Sequence, residues 1–216
     1  MKFKAIIFDL DGTLLDTIDD LADSMNAVLK ASGYPTHETA AYKYFVGDGM
    51  WNLVKRALPE SVRDDSHIET YLAETKAEYA KRWNAKTKPY DGIPELLTAL
   101  EEKNIKMTIL SNKADEFTQL IIKKLFPGWK FEAVLGEKPN IPRKPDAAGA
   151  LEISKQLGIP PEEFLYLGDT NVDMKTAAAA GMYAVGALWG FRKADELAEG
   201  GARVLIPKPG ALLDLL

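Results

Sequence analysis

Short apolar runs at residues 5–10, 106–110, 133–135, 164–167, 183–188 and 204–206 alternate with longer stretches whose apolar positions recur at helical spacing. Strands alternating with helices predict a parallel sheet joined by crossover helices, hence an α/β core. Such a sheet places its ligand where the loops leave the carboxyl ends of the strands, so the polar residues that terminate strands are the ones to follow. The first run and the second are more than ninety residues apart, far more than one crossover needs. Helical spacing within this interval shows in Leu21, Met25, Val28 and Leu29, again in Met50, Leu53, Val54 and Leu58, and across residues 71–83. The turn signals Gly33-Tyr34-Pro35 and Lys88-Pro89-Tyr90-Asp91-Gly92 punctuate and close the interval. The predicted organisation is a core made of residues 1–15 and 89–216, with an all-helical insert at 16–88.

Composition narrows the chemistry. The chain has 46% hydrophobic and 27% charged residues, as in an ordinary water-soluble domain rather than a disordered or fibrous one. Its 216 residues suffice for one α/β core and a small second module. A net charge of -5 argues against a broad nucleic-acid footprint, so an anionic ligand has to be met locally. The absence of cysteine removes disulfides, thiolate metal sites and cysteine nucleophiles, and suits a reducing compartment. The opening Met1-Lys2-Phe3-Lys4 is followed by an apolar run too short for a signal peptide or membrane span. The expected location is cytoplasmic, with no membrane partner.

Four places carry candidate chemistry. In Phe8-Asp9-Leu10-Asp11-Gly12-Thr13, two carboxylates end an apolar strand. They form either a surface turn or a site that holds a divalent cation and attacks an electrophile. The run from Phe164 to Asp173 repeats the arrangement, with Asp169 at the strand end and Asp173 four residues on. Asp169 as a helix N-cap, with Asp173 aiding the dipole, is the plainer alternative. Oxygen ligands converging from both strand ends suit magnesium, which keeps some waters and borrows phosphate oxygens. Ser111-Asn112 ends the second core strand before a helix, where backbone N–H groups and the Ser111 hydroxyl make an anion cradle or, more simply, an N-cap. Between two prolines, Lys144 is either a solvated loop charge or a point charge for a phosphate or carboxylate.

In this order and at these strand ends, the four elements resemble the four signature motifs of the haloacid dehalogenase superfamily. Asp9 to Thr13 matches DxDGT, Ser111 the second motif, Lys144 the third, and Gly168-Asp169 with Asp173 the GDxxxD form of the fourth. The similarity spans the chain, and the helical insert resembles the cap of the subgroup containing phosphoglycolate phosphatases and β-phosphoglucomutases. It implies a Rossmann-like core with an inserted helical cap, and a Mg2+-dependent phosphatase. Asp9 would be the nucleophile, forming an aspartyl-phosphate, and Asp11 the general acid and then base. Asp9, the Asp11 carbonyl and Asp169 would bind Mg2+, with Asp173 arranging the outer hydrogen bonds. Gly12, Ser111, Asn112 and Lys144 would hold the phosphoryl oxygens. Dehalogenases of the superfamily lack the second aspartate of the first motif, so Asp11 points to phosphoryl transfer. Phosphonatases use a cap lysine, and neither Lys43 nor Lys55 sits in a matching pattern.

The cap segment around Gly47, Asp48, Gly49 and Trp51 resembles a phosphoglycolate phosphatase pattern and is expected to project into the cleft and select the substrate; otherwise it is a loop entering an ordinary helix. The expected substrate is a small phosphorylated metabolite, 2-phosphoglycolate first, acted on by a monomer or homodimer. A β-phosphoglucomutase-like mutase and a non-catalytic phosphate-binding module are the alternatives.

Overall fold

A computed structural model describes residues 2–216. Its strands are β1 (Ala5–Phe8), β2 (Leu15–Asp16), β3 (Lys88–Pro89), β4 (Lys106–Ala114), β5 (Ala133–Glu137), β6 (Phe164–Gly168), β7 (Tyr183–Ala187) and β8 (Val204–Ile206). The helices are α1 (Ile18–Ala31), α2 (Thr39–Phe45), α3 (Met50–Ala57), α4 (Asp65–Arg82), α5 (Ile93–Glu102), α6 (Asp115–Leu125), α7 (Ala148–Leu157), α8 (Asn171–Ala179) and α9 (Ala194–Glu199). The chain divides into two compact units, Asp16–Lys88 and the remainder on either side of it.

In the larger unit six strands form one parallel sheet in the order β5-β4-β1-β6-β7-β8, the α/β class that the alternating pattern predicts. All four residues of β1 are buried, as a strand covered on both faces requires. The chain leaves β1, builds outward through β4 and β5, then returns to the other side of β1 and builds outward again through β6, β7 and β8. The β1 strand therefore lies at the point where the strand order reverses, where open α/β sheets open a crevice at the carboxyl ends of their strands. Register makes those ends level, since Phe8 pairs with Ile109 on one side and with Leu167 on the other. Asp9, Ser111 and Asp169 follow within one or two residues of these partners. Beneath them one face of the sheet packs Ile7, Phe164 and Tyr166 against Ile153, Met174 and Ala177.

Two details differ from the sequence expectation. The β4 strand runs on through Ala114, with a register shift between Leu110 and Ala114, and α6 begins only at Asp115 with Ala114 at its cap position. Ser111 and Asn112 thus sit in the strand's irregular end and cap no helix. The β1 strand stops at Phe8 because the backbone turns directly afterwards, the N–H groups of Thr13, Leu14 and Leu15 all donating to the Leu10 carbonyl.

The smaller unit consists of α1 to α4. Helix α1 buries Leu21, Met25, Val28 and Leu29, the face that the spacing marks, and α3 buries Leu53 and Val54. The pattern gave no sign of α2, which buries only Tyr42. Asp20 is almost fully buried in α1 and accepts from the backbone N–H groups of Lys86 and Thr87 and from the Thr87 hydroxyl at 2.8–3.1 Å. It thereby ties the end of this unit to its first helix. Replacing Asp20 by Ala would leave those donors without their acceptor. The expected cost is about 3 kcal/mol, seen as a lower urea midpoint for the unit in the full-length chain; an unchanged midpoint would show that the tie is dispensable.

Candidate active site

The loop after β1 places its two carboxylates differently. Asp9, 6% exposed, continues the line of the strand, its N–H held by the Leu167 carbonyl at 2.9 Å. Asp11 is partly exposed beyond it. Next to Asp11, against the end of β6, lies Gly12, whose φ of 91° is a left-handed conformation that side chains disfavour. A Cβ at Gly12 would also overlap the Asp169 carboxylate. The glycine is needed because backbone and carboxylate pass in direct contact.

Asp169 directly follows β6 and is fully buried. The Thr13 hydroxyl donates to its Oδ1 and the Phe191 N–H to its Oδ2, each at 2.8 Å. The Phe191 bond comes from the loop after β7, which the sequence reading passed over. There Trp189 Nε1 donates to the Thr13 carbonyl at 2.9 Å, and a Cβ at Gly190 would overlap Asp169. The helix-capping alternative raised for this region is half met: Thr170, not Asp169, caps α8. Its hydroxyl accepts from the Asp173 N–H, and Asp173 Oδ2 accepts in return from the Thr170 N–H and hydroxyl.

Lys144 joins these parts. It is 6% exposed, and its ammonium lies 2.8 Å from Asp9 Oδ1 and 2.7 Å from Asp173 Oδ1. The Asn112 side chain clamps the Lys144 backbone, Nδ2 donating to the carbonyl at 3.0 Å and Oδ1 accepting from the N–H at 2.9 Å. Asn112 therefore orients the lysine with its side chain. Ser111 is buried beside it, and its Oγ accepts from the Lys113 N–H at 3.2 Å. Lys113, a further residue that the sequence reading did not single out, donates to both Asp11 carboxylate oxygens at 2.8 Å.

The result is three buried carboxylates around one buried ammonium. Burial and the charges of Asp173 and Asp169 hold Asp9 well above the carboxylate range, although Lys144 pulls the other way. Burial and Asp173 push Asp169 up to about 7 against the hydrogen bonds from Phe191 and Thr13. Burial alone would lower the Lys144 ammonium, but Asp173 and Asp9 keep it well above its ordinary value. Oxygen atoms of Asp9, Asp169 and Asp173 lie within 4.8 Å of one another. Hard oxygen donors and an excess of buried negative charge fit a divalent cation of the magnesium or calcium type. Asp173 gives one oxygen to the Lys144 ammonium and the other to Thr170, whereas the Asp169 oxygens carry only neutral donors and Asp9 meets Lys144 through Oδ1 alone, which favours Asp9 and Asp169 as direct ligands.

The chain has relatives among known proteins. The family profile of haloacid dehalogenase-like hydrolases matches residues 6–187. The chain belongs to that family. Within it, the chain is 31% identical over 207 residues to a phosphoglycolate phosphatase of Pseudomonas syringae pv. tomato, covering 94% of this chain and 76% of the relative. It is equally 31% identical to an N-acetylmuramic acid 6-phosphate phosphatase of Pseudomonas aeruginosa, covering 100% and 96% of the two chains. A crystal structure from Lactobacillus delbrueckii subsp. bulgaricus, provisionally named a phosphoglycolate phosphatase, superposes with a TM-score of 0.93 at 33% identity, covering 100% of this chain and 98% of that one. No helix among the described residues of this hydrolase is long and apolar enough to cross a membrane.

The residues proposed for substrate selection, Gly47, Asp48, Gly49 and Trp51, lie in the helical unit. Gly47 and Gly49 have positive φ, Asp48 pairs with Arg56, and the Lys55 ammonium stands 5.0 Å from the centre of the Trp51 ring. Lys55 and Arg56 are thus engaged inside their own helix and loop.

Two outcomes follow. Gly12→Ala should collapse the contact with Asp169, lowering the thermal midpoint by several degrees and divalent-cation affinity by at least about 10-fold; calorimetric titration of the variant with Mg2+ checks this, and wild-type affinity would refute it. The second concerns pH. Because the Asp169 carboxyl is raised from 3.8 to about 7, the stability it contributes is complete below pH 3.8 and lost as pH rises through about 7. In chelator, the wild-type midpoint should therefore fall between pH 5 and pH 8 relative to Asp169→Asn, by about 2–4 °C per kcal/mol, and Mg2+ should restore it. Parallel curves for the two proteins would contradict the assignment.

Proposed function

We propose that this hydrolase is a magnesium-dependent phosphatase that releases phosphate from a small phosphomonoester by way of a phosphoryl group carried on Asp9, with 2-phosphoglycolate the first substrate to try. The supporting observation is the buried Asp9 carboxylate, fixed through Oδ1 by the Lys144 ammonium at 2.8 Å, with a second carboxylate, Asp11, two residues on. A second acid beside the first is what protonation of a leaving oxygen requires.

The chemistry needs two displacements at phosphorus. An Asp9 carboxylate oxygen attacks, the bond from phosphorus to the ester oxygen breaks, and the Asp11 carboxyl gives its proton to the departing alkoxide. Water then attacks the phosphoryl group on Asp9, Asp11 takes a proton from it, and phosphate leaves with Asp9 restored. Lys144, the Ser111 hydroxyl and backbone N–H groups near Asn112 meet the phosphoryl oxygens. Asp9, Asp169 and the Asp11 carbonyl would hold Mg2+, which supplies charge neutralisation and orientation at the transferring group. Asp173 keeps Lys144 in line and, through Thr170, fixes the start of α8.

A second ester belongs in the first panel. The relative named for N-acetylmuramic acid 6-phosphate matches this chain over nearly its full length, so a sugar 6-phosphate is a direct competitor of phosphoglycolate. Residues 47–51 are proposed to contribute to that choice, and their replacement should reorder the preferred esters.

Phosphate release from such a panel should require added Mg2+, stop in chelator, and fall by more than about 10³-fold in Asp9→Asn. Turnover that survives Asp9→Asn would rule out the aspartyl-phosphate route. Conversion of β-glucose 1-phosphate without phosphate release would favour the mutase.

A further inference from the structure

Resting on the phosphatase reading, we propose that Lys113 is a positioning residue for Asp11, fixing the general acid and base against the phosphate-holding end of β4. The side chain of Lys113 is 4% exposed and that of Asp11 20% exposed. A lysine so enclosed loses most of its hydration, which is tolerated only where a partner and hydrogen bonds replace it. Here the ammonium donates to both Asp11 oxygens at 2.8 Å, so the ionised, base form is held at two points, and one of the two bonds remains when the other oxygen carries the proton for the leaving group. The lysine is itself fixed, because its N–H donates to Ser111 Oγ and the Thr118 hydroxyl donates to its carbonyl, at 3.2 Å each. The irregular register of β4 after Leu110 gives Lys113 its place at this strand end, a usual function of such a bulge beside a site.

Asp11 needs such a hold. Asp9 continues a fully paired strand and is gripped by Lys144, whereas Asp11 stands on the turn, half out of the sheet, and must meet two different atoms in sequence: the leaving oxygen, then the incoming water. A carboxylate free to rotate would spend much of its time aimed at neither. Positioning of this kind acts on rate and leaves substrate binding alone, and it matters most where the leaving oxygen needs a proton.

The test compares Lys113→Met and Lys113→Arg with wild type and Asp11→Asn on two esters. These are 2-phosphoglycolate, whose alkoxide leaves poorly, and p-nitrophenyl phosphate, whose phenolate leaves unaided. For Lys113→Met, kcat on 2-phosphoglycolate is expected to fall about 10²-fold with KM changed less than about 3-fold. The rapid burst of p-nitrophenol should stay within about 3-fold of wild type, and Asp11→Asn should show the same bias. Lys113→Arg, whose fork also reaches both oxygens of a carboxylate, should recover most of the lost rate. An equal fall on both esters, a rise in KM at constant kcat, or no change would overturn the proposal; the KM result would make Lys113 a substrate contact instead. Thermal midpoints of both variants separate a folding defect from a kinetic one, and the Arg variant serves where Met does not fold. If Asp11→Asn keeps its bias and Lys113→Met lacks it, only the role of Lys113 fails. If wild type hydrolyses neither ester, the phosphatase reading fails and takes this one with it.

Discussion

The ammonium of Lys144, buried between Asp9 and Asp173, is the contact on which the rest of the site depends. Without it three carboxylates would share a dry volume at the end of a parallel sheet, each raising the cost of ionising the others. With it Asp9, the proposed nucleophile, is held at one oxygen, Asp173 anchors the lysine, and Asp169 is left to the proposed cation. The remaining hydrogen bonds are arranged around that division. Thr13 and Phe191 serve Asp169, Thr170 serves Asp173, and Asn112 holds the backbone of Lys144 so that the ammonium cannot drift.

This arrangement explains why the site draws on chain segments so far apart. A buried carboxylate accepts several hydrogen bonds, and the strand that carries it supplies none of them from its own side chains. Trp189 reaches the loop after β1 across 176 positions of sequence, and Thr13 reaches Asp169 across 156. Gly12 and Gly190 both lie where a Cβ would strike Asp169, so the carboxylate is enclosed by backbone rather than by side chains. The excess negative charge that remains is what the proposed divalent cation would offset.

Much of this was legible in the sequence. Unbroken apolar runs mark strands covered on both faces, and acids at the ends of two such runs have few uses other than chemistry, so β1, β6 and Asp9, Asp11, Asp169 and Asp173 stand out. The places that were not legible have physical reasons. Helix α2 buries a single side chain, Tyr42, and so leaves no periodic trace. The extension of β4 through Ala114 depends on pairing with β5, a tertiary fact that Ser-Asn before a helical stretch does not disclose. Lys113 reads as one more cation until its distance to Asp11 is known, and residues 189–191 read as a plain loop because what they contribute is backbone.

The substrate lies outside what these contacts fix. Two relatives equally similar to this chain are named for unlike esters, one of glycolate and one of a sugar acid. Since the groups proposed to handle phosphorus are indifferent to the alcohol released, selection among alcohols must come from transition-state contacts to the leaving part, where a difference of about 1–3 kcal/mol already separates substrates 10- to 200-fold. A hold on Asp11 that is supplied from β4, as proposed for Lys113, would let those selective contacts vary without disturbing the acid proposed to protonate the leaving oxygen. That independence is what one chemical core would need in order to serve several esters.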